Sequence, residues 1–280
     1  MRKHITLLVI ASAACLLSAC SGSREARPTW ADEFNGTSFD TTVWAKIPRG
    51  GSPWDSHMAF DDDLFEVKDG CLILRAKVNP DTTVDKAPLQ TGGLITKLPV
   101  SFGYGKLEVR AKLDGVGGGW PAIWMMPVDN GDDDPMDPYW DGYDFRDYGE
   151  IDICERLNFE PQAYQTLHTS YTLTTRDESG QPQSKTGAIN PDDFNVYTME
   201  HWRDSIRLSI NGVNTITYKK LTQNPEGKEI PTRAQWTFDR NFDLRIDMQV
   251  GAPWPGEAVL EDLPVEMTID WVRFYAFKDE

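Results

Sequence analysis

An all-β fold, a sandwich of two antiparallel sheets of jelly-roll type, is predicted by three features of the 280-residue sequence. No window of helical length carries apolar residues at three-and-four spacing. Period-two and short apolar runs recur along the chain, and Gly, Pro, Asn and Asp punctuate them. The chain is long enough for a sizeable core, and a single all-β domain can use this length without dividing.

Taken in order, the first twenty residues stand apart from the fold. Arg2 and Lys3 precede the apolar run Ile5 to Leu17, which is too short to span a bilayer and is laid out as a secretory signal. Ser21 to Pro28 is short, polar and Pro-terminated, as a tether is. From residue 29 to 280 the chain reads as one domain. Its clearest strands are Cys71 to Leu74, Lys106 to Arg110, Ile206 to Ile210 and Met267 to Phe274. Lys68-Asp69-Gly70 and Asn211-Gly212 are hairpin-type turns. Cys71 and Cys154 sit inside apolar strand-like runs and read as small core residues, with a disulfide between them as the alternative. Their spacing does not point to zinc.

With 28 Lys+Arg against 44 Asp+Glu, the formal charge is -16. That balance excludes nucleic acid and anionic headgroups as partners, because both are gripped by basic clusters that the sequence lacks. Ten Trp, nine Tyr and twelve Phe carry more information. Most fill a β core, but flat rings with polar edges also suit the faces of neutral sugars. Between Pro127 and Asp147 lie eight Asp and one Arg, with Tyr139, Trp140, Tyr143 and Phe145 among them. A charge run usually faces water, but rings in a long loop need something to cover, so the segment is read as one wall of a binding cleft.

The chemistry follows at Gly149-Glu150-Ile151-Asp152-Ile153-Cys154-Glu155. Side chains alternate along a strand, so Glu150 and Asp152 share one face while Ile151 and Ile153 enter the core. Glu155 has the phase of the apolar set, and one extra residue in a β-bulge returns it to the acidic face. Three carboxylates on one face repel, so at least one holds a proton near neutral pH. Such a row is compatible with an exposed strand face, with a cation site, or with hydrolysis of a glycosidic bond. In the last case one carboxyl attacks the anomeric carbon and the other protonates the leaving oxygen, and a separation of roughly 5 Å gives retention.

Gly119-Trp120-Pro121-Ala122-Ile123-Trp124-Met125-Met126-Pro127 leading to Gly149 through Glu155 resembles the central signature of family 16 glycoside hydrolases. This is the laminarinase, agarase and endo-β-galactosidase group with a bulged acid motif. Trp30 to Gly36 looks like the family's opening. Gln249-Val250-Gly251 with Trp254-Pro255-Gly256 looks like its penultimate strand and turn, and Ile269 to Tyr275 like its last strand. The resemblance covers residues 30–276 and makes residues 29–280 a catalytic domain with a concave substrate cleft.

By that resemblance Glu150 is the nucleophile, Glu155 the general acid/base, and Asp152 the acid that orients and tunes the pair. His168 falls where the family has a cleft histidine, a position at which the residues alone point to a structural group. Trp120 lines a sugar subsite, Trp124 is at least half core, and Trp54, His57, Trp140 and Tyr143 are further substrate-binding candidates. Catalysis needs no cofactor. A structural calcium through the region of Glu33, Gly70 and Asp270 is implied by the family, although backbone carbonyl ligands leave no sequence trace. Leu17-Ser18-Ala19-Cys20 looks like a bacterial lipoprotein box. Residues 1–19 are then the signal and 20–28 a tether lipidated at Cys20, which holds the protein to the cell envelope by lipid alone. A monomer with a glycan substrate is expected.

Two departures bear on substrate. Gly51 to Met58 and Phe145-Arg146-Asp147-Tyr148 stand where β-1,3-glucan enzymes carry an Asn-Glu-x-Gln-x-Tyr type segment and a Trp-Pro pair. With Arg156-Leu157-Asn158 and the Tyr164 to Tyr171 strand, they resemble gut bacterial lipoproteins that cleave β-galactosides within O-glycans. The expectation is a retaining endo-enzyme on poly-N-acetyllactosamine or mucin-type O-glycans, with an endo-β-1,3- or mixed-linkage glucanase as the alternative. A non-catalytic glycan binder on the same sandwich is the reading from a different class. The acid triad argues against it, since a binder has no need of clustered carboxylates that repel.

Overall fold

Left-handed backbone at Asp69 and Gly70 (φ 54° and 77°) and at Asn211 and Gly212 (51° and 76°) makes two tight hairpin turns of the kind the strand twist favours. They set Lys68 opposite Cys71 and Ile210 opposite Val213. The computed structural model describes residues 27–128, 148–175 and 180–278. In chain order its strands are β1 (Trp30–Asp32), β2 (Trp44–Lys46), β3 (Phe65–Lys68), β4 (Cys71–Val78), β5 (Leu89–Thr91), β6 (Gly93–Thr96), β7 (Gly105–Leu113) and β8 (Gly119–Pro127). Then follow β9 (Gly149–Glu155), β10 (Gln162–Thr169), β11 (Ser184–Ala188), β12 (Asn195–His201), β13 (Ser205–Ile210), β14 (Val213–Lys219), β15 (Phe242–Val250) and β16 (Val265–Ala276).

Among the described residues these form two antiparallel sheets, as the sequence predicts. One runs β14-β13-β12-β7-β16-β4-β3, with β1 on β16 and β5 on β4; the other runs β11-β10-β9-β8-β15-β6-β2. The alternation read in the sequence is the alternation of burial. Leu72 and Leu74 of β4, Leu107 and Val109 of β7, Ile123 and Met125 of β8, and Leu244 and Ile246 of β15 are fully buried in one core between the sheets. Each such side chain contributes about 1.5–3 kcal/mol relative to exposure.

Two expectations are corrected and one alternative is closed. The strand expected to reach Tyr171 stops at Thr169, and a short helix α1 (Ser170–Thr175) follows. Thr169 N–H donates to Thr172 Oγ1 (2.8 Å) while Thr172 N–H donates to Thr169 Oγ1 (3.1 Å), and this reciprocal pair turns the chain out of the ladder. A second helix, α2 (Thr232–Gln235), is only four residues long, below what periodicity can register. Cys71 and Cys154 are both free thiols, with Cys154 wholly buried, so the disulfide alternative is not formed. The signal segment, the Cys20 tether, Trp140 and Tyr143 lie outside the described residues.

The bulge sits where the acid spacing needs it. Opposite β10, Thr166 pairs with Asp152 and Tyr164 with Glu155; opposite β8, Trp124 pairs with Asp152 and Ile123 with Cys154. Strand β9 therefore carries one residue more than either neighbour between Asp152 and Glu155. Ile153 and Cys154 both turn into the core and Glu155 returns to the face of Glu150 and Asp152. The carbonyl freed by this irregularity is not left bare: Gln165, itself fully buried, donates Nε2–H to Ile153 O at 2.7 Å. Gln165→Ala should thus lower stability by about 1–3 kcal/mol by leaving a buried carbonyl unpaired, and should cut activity more than the lost stability explains. Denaturant melts and kinetics at a temperature where the variant is folded check both parts.

Candidate active site

Residues paired across an antiparallel ladder share a face, so the register of three strands dictates what lines the open side of the second sheet. Trp120, Ala122, Trp124 and Met126 of β8 lie on that side. Across β15 they meet Gln249, Asp247, Arg245 and Asp243 in that order. On the other flank Asp152 and Glu155 of β9 lie opposite Trp124 and Ala122. The segment 47–55 forms one wall with Ile47, Pro48, Ser52, Pro53, Trp54 and Asp55, and the half-open cavity is about 460 Å³. Glu150, Asp152 and Glu155 all border it.

The three acids differ in environment. Asp152 is 3% exposed, and burial together with the neighbouring Glu150 charge holds its carboxyl well above the usual range. Glu155, 8% exposed, is also pushed well above that range by burial and by the Asp152 charge, against the opposing hydrogen bond from Trp120. That bond runs from Trp120 Nε1–H to Glu155 Oε1 at 2.8 Å. Glu150 is less buried and accepts a hydrogen bond from the Tyr148 hydroxyl on Oε2. His168 lies opposite Glu150 in the β9–β10 ladder, with Nε2 at 3.3 Å from Asp152 Oδ2. Gln183 Nε2 lies 3.2 Å from His168 Nδ1. If Gln183 donates there, the imidazole proton sits on Nε2, facing Asp152. The arrangement sets two buried carboxyls whose protonated forms are favoured beside the less buried Glu150, the kind of unequal environment that acid-assisted displacement uses.

Trp54 meets Trp124 edge to face at 4.8 Å, and both rings line the cavity. Trp124 is 7% exposed, with its Nε1–H donated to Asp247 Oδ2 at 2.7 Å and the Arg245 guanidinium 4.8 Å above its ring. His57 is not among the residues lining this cavity. Its ring lies close to Gly251, and partial burial pushes the imidazole below the usual range. The structure thus brings Trp54, Trp120, Trp124 and His168 to the acids and leaves His57 outside.

The calcium set fares differently. Glu33 binds Arg273 with both oxygens (2.7 and 2.8 Å), and Asp270 is paired with Arg110. Calcium takes six to eight oxygen ligands. These two carboxylates are already engaged by guanidinium groups, so a calcium ion in this region would be held by backbone oxygens rather than by these side chains.

Sequence reasoning passed over the polar row of β15. Arg245 pairs with both oxygens of buried Asp243 (3.0 and 3.2 Å), and Gln249 donates to Asp247. Asp247, fully buried, is pushed up to about 7 mainly by burial. The signal was present as Asp243-Leu244-Arg245-Ile246-Asp247-Met248-Gln249, a period-two polar pattern inside an apolar strand.

The family model described as "Glycosyl hydrolases family 16" matches residues 60–273. A "Keratan-sulfate endo-1,4-beta-galactosidase" of Sphingobacterium multivorum is 34% identical over 249 residues, covering 88% of this chain and 54% of that protein. A "Beta-glucanase" of Rhodothermus marinus is 29% identical over 258 residues, 88% of this chain and 84% of that one. The chain therefore spans about half the length of the first of these relatives. Among solved structures, the laminarinase from Rhodothermus marinus superposes with a TM-score of 0.72 at 26% identity, over 90% of this chain and 98% of that one. A structure reported under the words "Prominent members of the human gut microbiota express endo-acting O-glycanases to initiate mucin breakdown" superposes with a TM-score of 0.71, also at 26% identity. The match covers 90% of this chain and all of that one.

Proposed function

The chain belongs to family 16 of the glycosyl hydrolases, and from that premise we propose that it is a retaining endo-β-glycosidase that cuts internal β-galactosidic bonds in poly-N-acetyllactosamine or mucin-type O-glycans. The observation that carries the enzymatic reading is the β9 bulge, which returns Glu155 to the face of Glu150.

In the first step the Glu150 carboxylate attacks the anomeric carbon. The bond to the leaving oxygen breaks, and that oxygen takes the proton of Glu155. The product is a glycosyl ester on Glu150 and a released sugar hydroxyl. In the second step Glu155, now ionised, accepts a proton from water as the water oxygen attacks the same carbon. Glu150 leaves as carboxylate and Glu155 is protonated again. Two inversions give net retention. The Trp120 hydrogen bond orients Glu155, Tyr148 holds Glu150, and Asp152 with His168 sets the charge between them.

The substrate class is supported by the galactosidase relative and by the Trp54-Asp55 wall, which sets a polar group beside an aromatic platform. Galactose and glucose differ in the C4 hydroxyl, and a site that bonds the axial hydroxyl rejects the epimer by about 1–3 kcal/mol for each group left unpaired. Glucan hydrolysis is the second reading, favoured by the β-glucanase relative that the chain matches over 84% of its length. Product chromatography on N-acetyllactosamine chains, mucin O-glycans, laminarin and mixed-linkage glucan tests the choice. Faster cleavage of the galactosides is expected, with Trp54→Ala raising KM or lowering kcat by about tenfold through loss of ring contact. Faster cleavage of laminarin or mixed-linkage glucan overturns the substrate assignment and leaves the mechanism standing.

A further inference from the structure

We propose that Trp254 and Tyr164 form a second sugar platform, outside the walled cavity, that carries the part of the glycan on the leaving-group side of the cleaved bond. This rests on the endo-glycosidase reading.

Two aromatic surfaces meet at Trp120, beside Glu155. On the β8 side lies the walled cavity with Trp54 and Trp124. On the β10 side, Tyr164 is the register partner of Glu155 and shares its face, half-buried. Trp254, in the turn after β15, is 47% exposed. Its ring meets Trp120 edge to face at 5.5 Å and Tyr164 at 5.1 Å. Trp120 is the residue that holds Glu155, so the row Trp120-Trp254-Tyr164 starts at the acid and runs outward. Glu155 protonates the departing oxygen, and the group attached to that oxygen must lie on its side. Glu150, bonded to Tyr148, and Glu155, bonded to Trp120, both border the walled cavity, whereas Tyr164 and Trp254 are not among its walls and extend the aromatic row beyond Glu155.

The exposed ring is also held in place. Asn158, with left-handed backbone (φ 51°), donates Nδ2–H to Pro255 O at 3.2 Å and accepts Gly118 N–H on Oδ1 at 2.7 Å. Gly251 N–H donates to Gly118 O at 2.9 Å, and Gly256 N–H to Ala252 O at 3.0 Å. A large apolar ring fixed in solvent by the segment following the catalytic strand, and continuous with the catalytic acid, fits the flat face of a neutral sugar.

The test compares Trp254→Ala and Tyr164→Ala with wild type on two substrates: the longest glycan that the wild type cleaves, and a nitrophenyl glycoside of the matching disaccharide, whose leaving group is too small to span the platform. On the glycan, kcat/KM should fall about tenfold or more, while the fall on the nitrophenyl glycoside should be at least about five times smaller. Asn158→Ala, which frees the turn without removing a ring, should show the same selectivity at smaller size. An equal fall on both substrates, or none on the glycan, overturns the platform while the enzyme reading stands. A wild type inactive on both substrates overturns the enzyme reading and the platform with it. Since the two rings are on different elements, misfolding of one variant leaves the other to decide.

Discussion

Glu150→Gln should lower turnover on the order of 10⁴-fold or more, because the displaced carboxylate is the covalent partner of the reaction and a neutral amide forms no ester there. Binding of the glycan and the melting temperature should stay close to wild type, since the amide keeps the shape of the carboxyl and still meets the Tyr148 hydroxyl. Stopped assays on the best substrate with calorimetric melts decide it. A variant with a tenth or more of the wild-type rate is incompatible with Glu150 as nucleophile.

Glu155→Ala should cost about 10²–10⁴ in kcat on a glycan, the usual worth of a positioned acid. On a nitrophenyl glycoside the first step should suffer far less, because that leaving group departs without a proton. The pH profile supplies the sign. Burial and the Asp152 charge raise the Glu155 carboxyl, which favours its protonated, proton-donating form. Wild-type kcat/KM must therefore be lost as pH rises through that raised value, and the alanine variant must lack this basic limb. Trp120→Phe removes the one hydrogen bond that opposes the rise, and should move the limb to higher pH. A basic limb unchanged in Glu155→Ala reassigns the acid to another group.

Much of the fold was legible because hairpin chemistry and period-two burial are local. The Asp69-Gly70 and Asn211-Gly212 turns need only their own backbone to declare themselves. The acid row was legible for a subtler reason: a five-residue spacing has the wrong phase on a regular strand, so common use of Glu150 and Glu155 demanded a bulge. What supports that bulge was hidden, since Gln165 reaches Ile153 from the next strand. The Asn158 clasp on the Trp254 turn spans 97 residues and has no local trace. His57 lies three residues beyond Trp54 in a turn, not a strand, so no period places its side chain, and its ring lies near Gly251 instead of the cavity. The ion pairs of Asp270 with Arg110 and of Glu33 with Arg273 span 160 and 240 residues and leave no local trace in the sequence.

The central claim is that Glu150 and Glu155, placed on one face by the bulge, act by double displacement. Proton NMR of the anomeric region in the first minutes of hydrolysis, before mutarotation, tests it most directly. The account predicts that the new reducing end appears first as the β-anomer and the α-anomer grows in later. Appearance of the α-anomer first means that water attacks directly and that no glycosyl ester forms on Glu150.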